Sequence, residues 1–204
     1  MLSIYDAIID LVEFMSNNSN DISNLMGKIL LSTSSISNEY LNKSMILVCS
    51  HDKNGAMGIV INKLIPNMST RNILEKFKIK SKDINNIDIH FGGSEEIDRC
   101  FALHSDDYLA NESSVISNNI ALTINVDIVK ALTSNGGPSR KILCMGCCIW
   151  DSYQLENEVA SSYWIPIEAD EALVFGDPHA DKWSKALLKI GSNTNVFSDF
   201  HGNA

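Results

Sequence analysis

The chain predicts an α/β protein of the mixed α+β kind, and three observations carry that reading. His51 to Asn62 (HDKNGAMGIVIN) is a tight turn feeding a strand that is apolar on both faces. The flanking runs, Ser44 to Cys49 and Ala56 to Ile61, do not alternate between apolar and polar, so both are expected as central strands covered on two sides. Helical and strand patterns mix along the chain, yet several strand pairs read as hairpins rather than crossovers, which favours a mixed sheet over a doubly wound one.

The turn has two readings. Asp52 to Gly55 fits a type I turn with Asp first and Gly last, and Asn54-Gly55 fits a two-residue primed turn. Either register is expected to set His51 opposite or beside Gly58, where a glycine leaves room for a ring or a second backbone. In chain order, Ile4 to Met15 predicts an amphipathic helix with Ile4, Ile8, Leu11, Val12 and Met15 on one face, and Ser16 to Asn24 a polar linker. Residues 1–26 thus read as a helix and linker attached to one domain over 27–204. Lys28 to Thr33 predicts the first strand. Ser69 or Thr70 caps a helix reaching Phe77. Strands follow at Ile87 to Phe91, Arg99 to His104 and Asn119 to Ile124. Asn125 is expected to cap a helix ending at Leu132, before a long apolar strand from Lys141 to Trp150. Asp151 or Ser152 is expected to cap the next helix. Ala172 to Phe175 reads as a late strand. The last helix has Asp177 as N-cap, Pro178 at its first position and Gly191 just past its end.

Composition narrows the function. The chain has 204 residues, of which 45% are apolar and 20% charged, as in an ordinary globular domain. A formal net charge of −9 argues against a broad nucleic-acid footprint, which needs clustered Lys and Arg. No apolar run approaches the ~18 residues of a membrane span, and no secretory signal is evident at the N-terminus. Five cysteines, an odd number set in apolar segments, suggest a reducing, cytoplasmic setting.

The motifs HDKNGAMGIVIN, GGSEEIDRCFALH, WDSYQLENEV and ADKWSKALLKIG, in this order, resemble the YqgE/AlgH family of bacterial proteins over Gly27 to Ala204. Matching positions are His51, Asn54, Gly55, Ala56, Met57, Gly58 and Asn62, then Gly92, Gly93, Phe101 and His104, then Gly146, Trp150, Gln154, Leu155 and Glu156, and Trp183. The resemblance implies a branched mixed sheet curled into a pseudo-barrel and flanked by helices. It implies no reaction: members are labelled transcriptional regulators or left uncharacterised. Ser94 stands where the family usually has Pro, Tyr153 where it has Gly, and Lys182 where it has Arg. Cys147, Cys148 and Ile149 replace aromatic and small residues, and Ile149 and Tyr153 are expected to narrow any groove there.

The candidate binding residues are His51, Asn54, Gly55, Gly58, Asn62, Gly92, Gly93, His104, Trp150, Gln154 and Glu156. Cys144 to Cys147 has CxxC spacing, but it lies within a strand and lacks a second pair, so packing explains it better than redox chemistry or zinc. His51 and His104 each close a strand. With Glu156 or Glu95 they could act as acid and base or hold a metal; equally, each ring could hydrogen-bond a loop backbone. Gly92-Gly93-Ser94 is followed by Glu95, Glu96 and Asp98, which would repel a phosphate. No nucleophile elbow, P-loop, dinucleotide fingerprint or basic helix-turn-helix is present. The leading expectation is a non-catalytic cytoplasmic module binding a protein or small ligand, with no cofactor or metal and with self-association left open. A hydrolase or metal-dependent enzyme using His51, His104 and Glu156 is the alternative, and a DNA-binding regulator stands behind both.

Overall fold

The computed structural model of the chain describes residues 24–80, 85–134, 136–176 and 179–193. The helix expected at Ile4 to Met15, and Asp177 and Pro178, lie outside them. Nine strands form one sheet: β1 Lys28–Ser32, β2 Met45–Asp52, β3 Gly55–Val60, β4 Ile89–Phe91, β5 Glu95–His104, β6 Ser113–Ser117, β7 Ile120–Thr123, β8 Lys141–Asp151 and β9 Trp164–Glu168. Among the described residues five α-helices accompany them: α1 Thr70–Lys76, α2 Ile128–Leu132, α3 Gln154–Ala160, α4 Glu171–Phe175 and α5 Lys182–Asn193, the last preceded by a 3-10 turn at His179–Asp181.

The strand order is β6-β7-β5-β8-β3-β2-β1-β9, and β4 joins β8 as a branch. Only the β4–β8 pair is parallel among these strands. The sheet is therefore mixed, branched and curled into a half-barrel. Its curl brings the start of β1 to β6, where a Cβ at Gly27 would lie 3.1 Å from the Ile116 carbonyl oxygen.

Three apolar layers explain why the strands are hydrophobic on both faces. Inside the curl, Ile29, Leu31, Leu47, Ile59, Leu103, Leu122 and Cys144 pack with Trp183 and Ala186 of α5. Outside it, Leu30, Ile46, Val48, Val60 and Trp150 pack under Leu155 of α3. A third layer sets Cys100, Ala102, Leu143 and Met145 against α1 and α2. Along β5 the side chains alternate between two layers, Phe101 and Leu103 in the inner one and Cys100 and Ala102 in the third.

The hairpin turn closes with Asp52 paired to Gly55, and the Asp52 carboxylate accepts the Asn54 amide at 2.7 Å. Neither Lys53 nor Asn54 has positive φ, so the turn is not of the primed type. This register overturns the expected neighbour of His51, which pairs with Ala56, while Gly58 pairs with Val48 across a bulge at Cys49.

Several boundaries also differ. Ala172 to Phe175 is helical, within α4, because the Asp170 side chain caps it by accepting the Leu173 amide at 2.8 Å; the late strand is β9, whose apolar run is broken by Pro166. Asn125 is not the cap of α2. It holds a preceding turn by accepting the Asp127 amide, and Asp127 is the N-cap. Neither Asp151 nor Ser152 caps α3: Tyr153 does, in the left-handed region at φ 60°, while the Gln154 side chain reaches back to the Asp151 amide. Gly191 does not follow α5 but lies within it.

Candidate functional site

Against the outer end of β8 lies a groove of about 340 Å³. Cys148, Ile149 and Trp150 of β8 line it, with Ser94 and Glu95 on one side and Ser35 to Asn38 with Leu41 on another. Gln154 and Glu158 of α3, with Tyr163 and Trp164, complete the lining. Glu158 organises this wall. Its Oε2 accepts the indole N–H of Trp150 at 2.9 Å and that of Trp164 at 2.7 Å, and its Oε1 accepts the Gln154 amide at 2.9 Å. The two indoles meet edge to face, 6.3 Å between centroids, a favourable aromatic arrangement. Both are buried, at 5% and 3% exposure, so each indole N–H needs an acceptor, and one carboxylate supplies both.

Of the residues singled out from sequence, Trp150 and Gln154 line the groove. Gly58 lies directly behind: a Cβ there would sit 3.2 Å from Trp150 Cζ3 and 2.6 Å from Ile46 Cγ2. The glycine thus makes room for an indole, where an imidazole was expected. Tyr153, 65% exposed, is not among the lining residues, so of the two replacements expected to narrow the groove only Ile149 faces it.

The other candidates have separate work. His51 Nδ1 accepts the Leu25 amide at 3.0 Å, and its Nε2 lies 3.1 Å from Glu156 Oε1, tying the chain before β1 to α3. His104 is fully buried, with Nδ1 on the Ser105 carbonyl and Nε2 on the Thr123 hydroxyl. His51 lies two strands from Trp150, through Ala56, near the end of β8; His104 pairs with Lys141 at its start. The two histidines therefore do not converge, and the set proposed for a hydrolase or metal enzyme is not assembled. Among the described residues, no group of three or more His, Cys, Asp or Glu could hold a metal.

Asn62 bridges two backbones, accepting from Met45 N and donating to Lys43 O. Asn54 belongs to the hairpin turn, and a Cβ on Gly55 would strike the Trp150 carbonyl at 2.2 Å. Gly92 stitches β3 to β8: its carbonyl accepts Val60 N–H and its N–H donates to Met145 O, both at 2.8 Å. A Cβ there, or at Gly93, would lie 2.1 Å from the backbone of Gly146 or Cys147 respectively. These glycines let one chain cross another.

The thiols are inert by environment. Burial pushes Cys147 up to about 11 and Cys148 and Cys100 up to about 12, and raises Cys49 and Cys144 further. Elsewhere, His90 of β4 stands edge-on to His179 at 4.5 Å. Burial, then the neighbouring His179 and Lys182, holds its pKa down to about 3.

Sequence reasoning missed Glu158 and Trp164. Glu158 follows Gln154 by one helical turn, which sets both on one face of α3, but no pattern in the sequence ties Trp164 to Trp150.

Comparison with known proteins agrees with this architecture. A family model described as AlgH-like matches residues 29–195. A UPF0301 protein of Buchnera aphidicola is 34% identical over 174 residues, covering 83% of this chain and 92% of that protein. One of Cereibacter sphaeroides is 35% identical over 182 residues, covering 88% and 99%. The solution structure of the AlgH protein from Pseudomonas aeruginosa superposes with a TM-score of 0.73 at 24% identity, covering 91% of this chain and 99% of that one. A crystal structure of a Corynebacterium diphtheriae protein gives 0.66 at 15% identity, covering 84% and 90%. The chain belongs to the AlgH-like family of UPF0301 proteins.

Proposed function

We propose that this protein is a non-catalytic binding module, acting in regulation in a reducing cytoplasm, with the groove beside Trp150 as its site. The observation that carries the reading is the pair of indoles fixed by one carboxylate in the wall of an open groove. Fixed aromatic walls with a few polar groups suit recognition, and the groove's volume falls within the ~300–1,000 Å³ of small-ligand sites. Of the sequence-expected catalytic set, His51 and Glu156 meet, but His104 stands apart, held by the Ser105 carbonyl and the Thr123 hydroxyl. All five cysteines are free and buried, which fits a compartment that keeps thiols reduced. A net charge of −9 speaks against a DNA-binding role.

The test is capture of a small-molecule fraction from cell extract by the full chain, compared with Ser37→Trp, which fills the groove from an exposed position. Wild type should retain a compound that the filled variant does not. Turnover of an ester, phosphate or peptide abolished by His51→Ala would overturn the reading.

A further inference from the structure

The pairing of β8 leaves one stretch of strand edge uncovered, and the groove runs along it. β5 accompanies β8 only as far as Glu95 opposite Cys147. From Cys148 to Asp151, β8 pairs with β3 alone, through Gly58 to Gly55. The Asp151 amide is satisfied by the Gln154 side chain and not by a neighbouring strand. Cys148, Ile149 and Trp150, on this uncovered stretch, line the groove together with Ser94 and Glu95, where β5 begins. Ile149 is 51% exposed there. An unpaired strand edge is a template for another extended chain.

The lining also has a sign. Its charged members are Glu95 and Glu158, and none of its described residues is Lys or Arg. Two carboxylates beside the exposed Tyr163 phenol favour an organic cation through charge.

Resting on the binding-module reading above, we propose that the groove takes an extended segment of a partner protein, which adds a strand to β8 at Cys148–Asp151 and seats a Lys or Arg side chain between Glu95 and the Trp150–Glu158 wall. Backbone hydrogen bonds supply the general affinity and the cation supplies the choice. Alternate side chains of the added strand point into and away from the groove, so one basic residue flanked by β-branched residues is the expected motif.

The test is a display library of linear heptapeptides panned on the full chain and counter-selected on Glu95→Lys, a change at an exposed position. Enriched peptides should carry Lys or Arg between β-branched residues. A synthetic capped version should weaken roughly tenfold when that residue becomes Gln, and comparably when the amides facing β8 are N-methylated. It should fail to bind Ser37→Trp. Absence of enrichment over Glu95→Lys, enrichment without a basic residue, or indifference to N-methylation overturns the strand proposal. If, in those cases, Ser37→Trp still abolishes capture of a small molecule, the binding-module reading survives alone. Peptide binding undiminished by Ser37→Trp would overturn both.

Discussion

Removing the Glu158 carboxylate is the sharpest perturbation this structure offers. Glu158→Ala strips the acceptor from two indole N–H groups in rings that are 5% and 3% exposed. A buried donor left without a partner costs ~1–3 kcal/mol. The exposed Gln154 amide turns to water at little cost. Water entering from the groove offsets part of the loss, so a destabilisation of about 3 kcal/mol is expected. Glu158→Gln keeps an oxygen for the indoles but loses the charge, and about 1 kcal/mol is expected. Equilibrium urea unfolding followed by tryptophan fluorescence reads both values, with the slope m checked for constancy. Glu158→Ala within ~0.5 kcal/mol of wild type would refute the argument that this carboxylate holds the wall.

Gly58→Ala should destabilise by about 1–3 kcal/mol in the same assay, since its Cβ meets Ile46 Cγ2 at 2.6 Å and the Leu47 carbonyl at 3.0 Å. His90 is held at about 3, below the ordinary 6.5, so below pH 6.5 the unfolded chain takes up a proton that the folded chain refuses until about pH 3. Between pH 7 and pH 5 that difference removes about 2 kcal/mol, and His90→Leu should lose that much less over the same interval. At pH 8 the five thiols should resist alkylation in the native protein and all react once it is unfolded, as counted by mass spectrometry. Tyr153→Gly relieves a left-handed residue at φ 60° and should stabilise by about 0.5–1 kcal/mol, read as a rise in thermal midpoint.

Much of the frame was legible because it obeys local rules. A turn within Asp52 to Gly55, though not its register, a cap at Ser69 or Thr70, and the doubly apolar β8 each follow from side-chain chemistry within a few residues. The failures came where distant parts of the chain decide. The turn register, left open by the sequence, sets His51 opposite Ala56, and nothing near Cys49 announces the bulge that shifts Gly58 one residue further along β2. One failure was local all the same: Ala172 to Phe175 has the apolar run of a strand, but the Asp170 cap beside it makes it helical. At the groove, Trp150 and Gln154 were found from sequence, whereas the carboxylate joining them to Trp164 was not. His51 and His104 looked alike as strand-closing histidines, yet one tethers the first turn of the domain and the other is sealed inside the sheet.

β8 has a wider role than lining a groove. Ile142, Cys144 and Cys147 belong to the inner layer, Cys148 and Trp150 to the layer under α3, and Leu143 and Met145 to the layer under α1 and α2. A single eleven-residue segment is thus the common member of every hydrophobic layer. Loosening this strand would therefore disturb all three layers together, and a guest gripping its outer end would brace all three interiors at once.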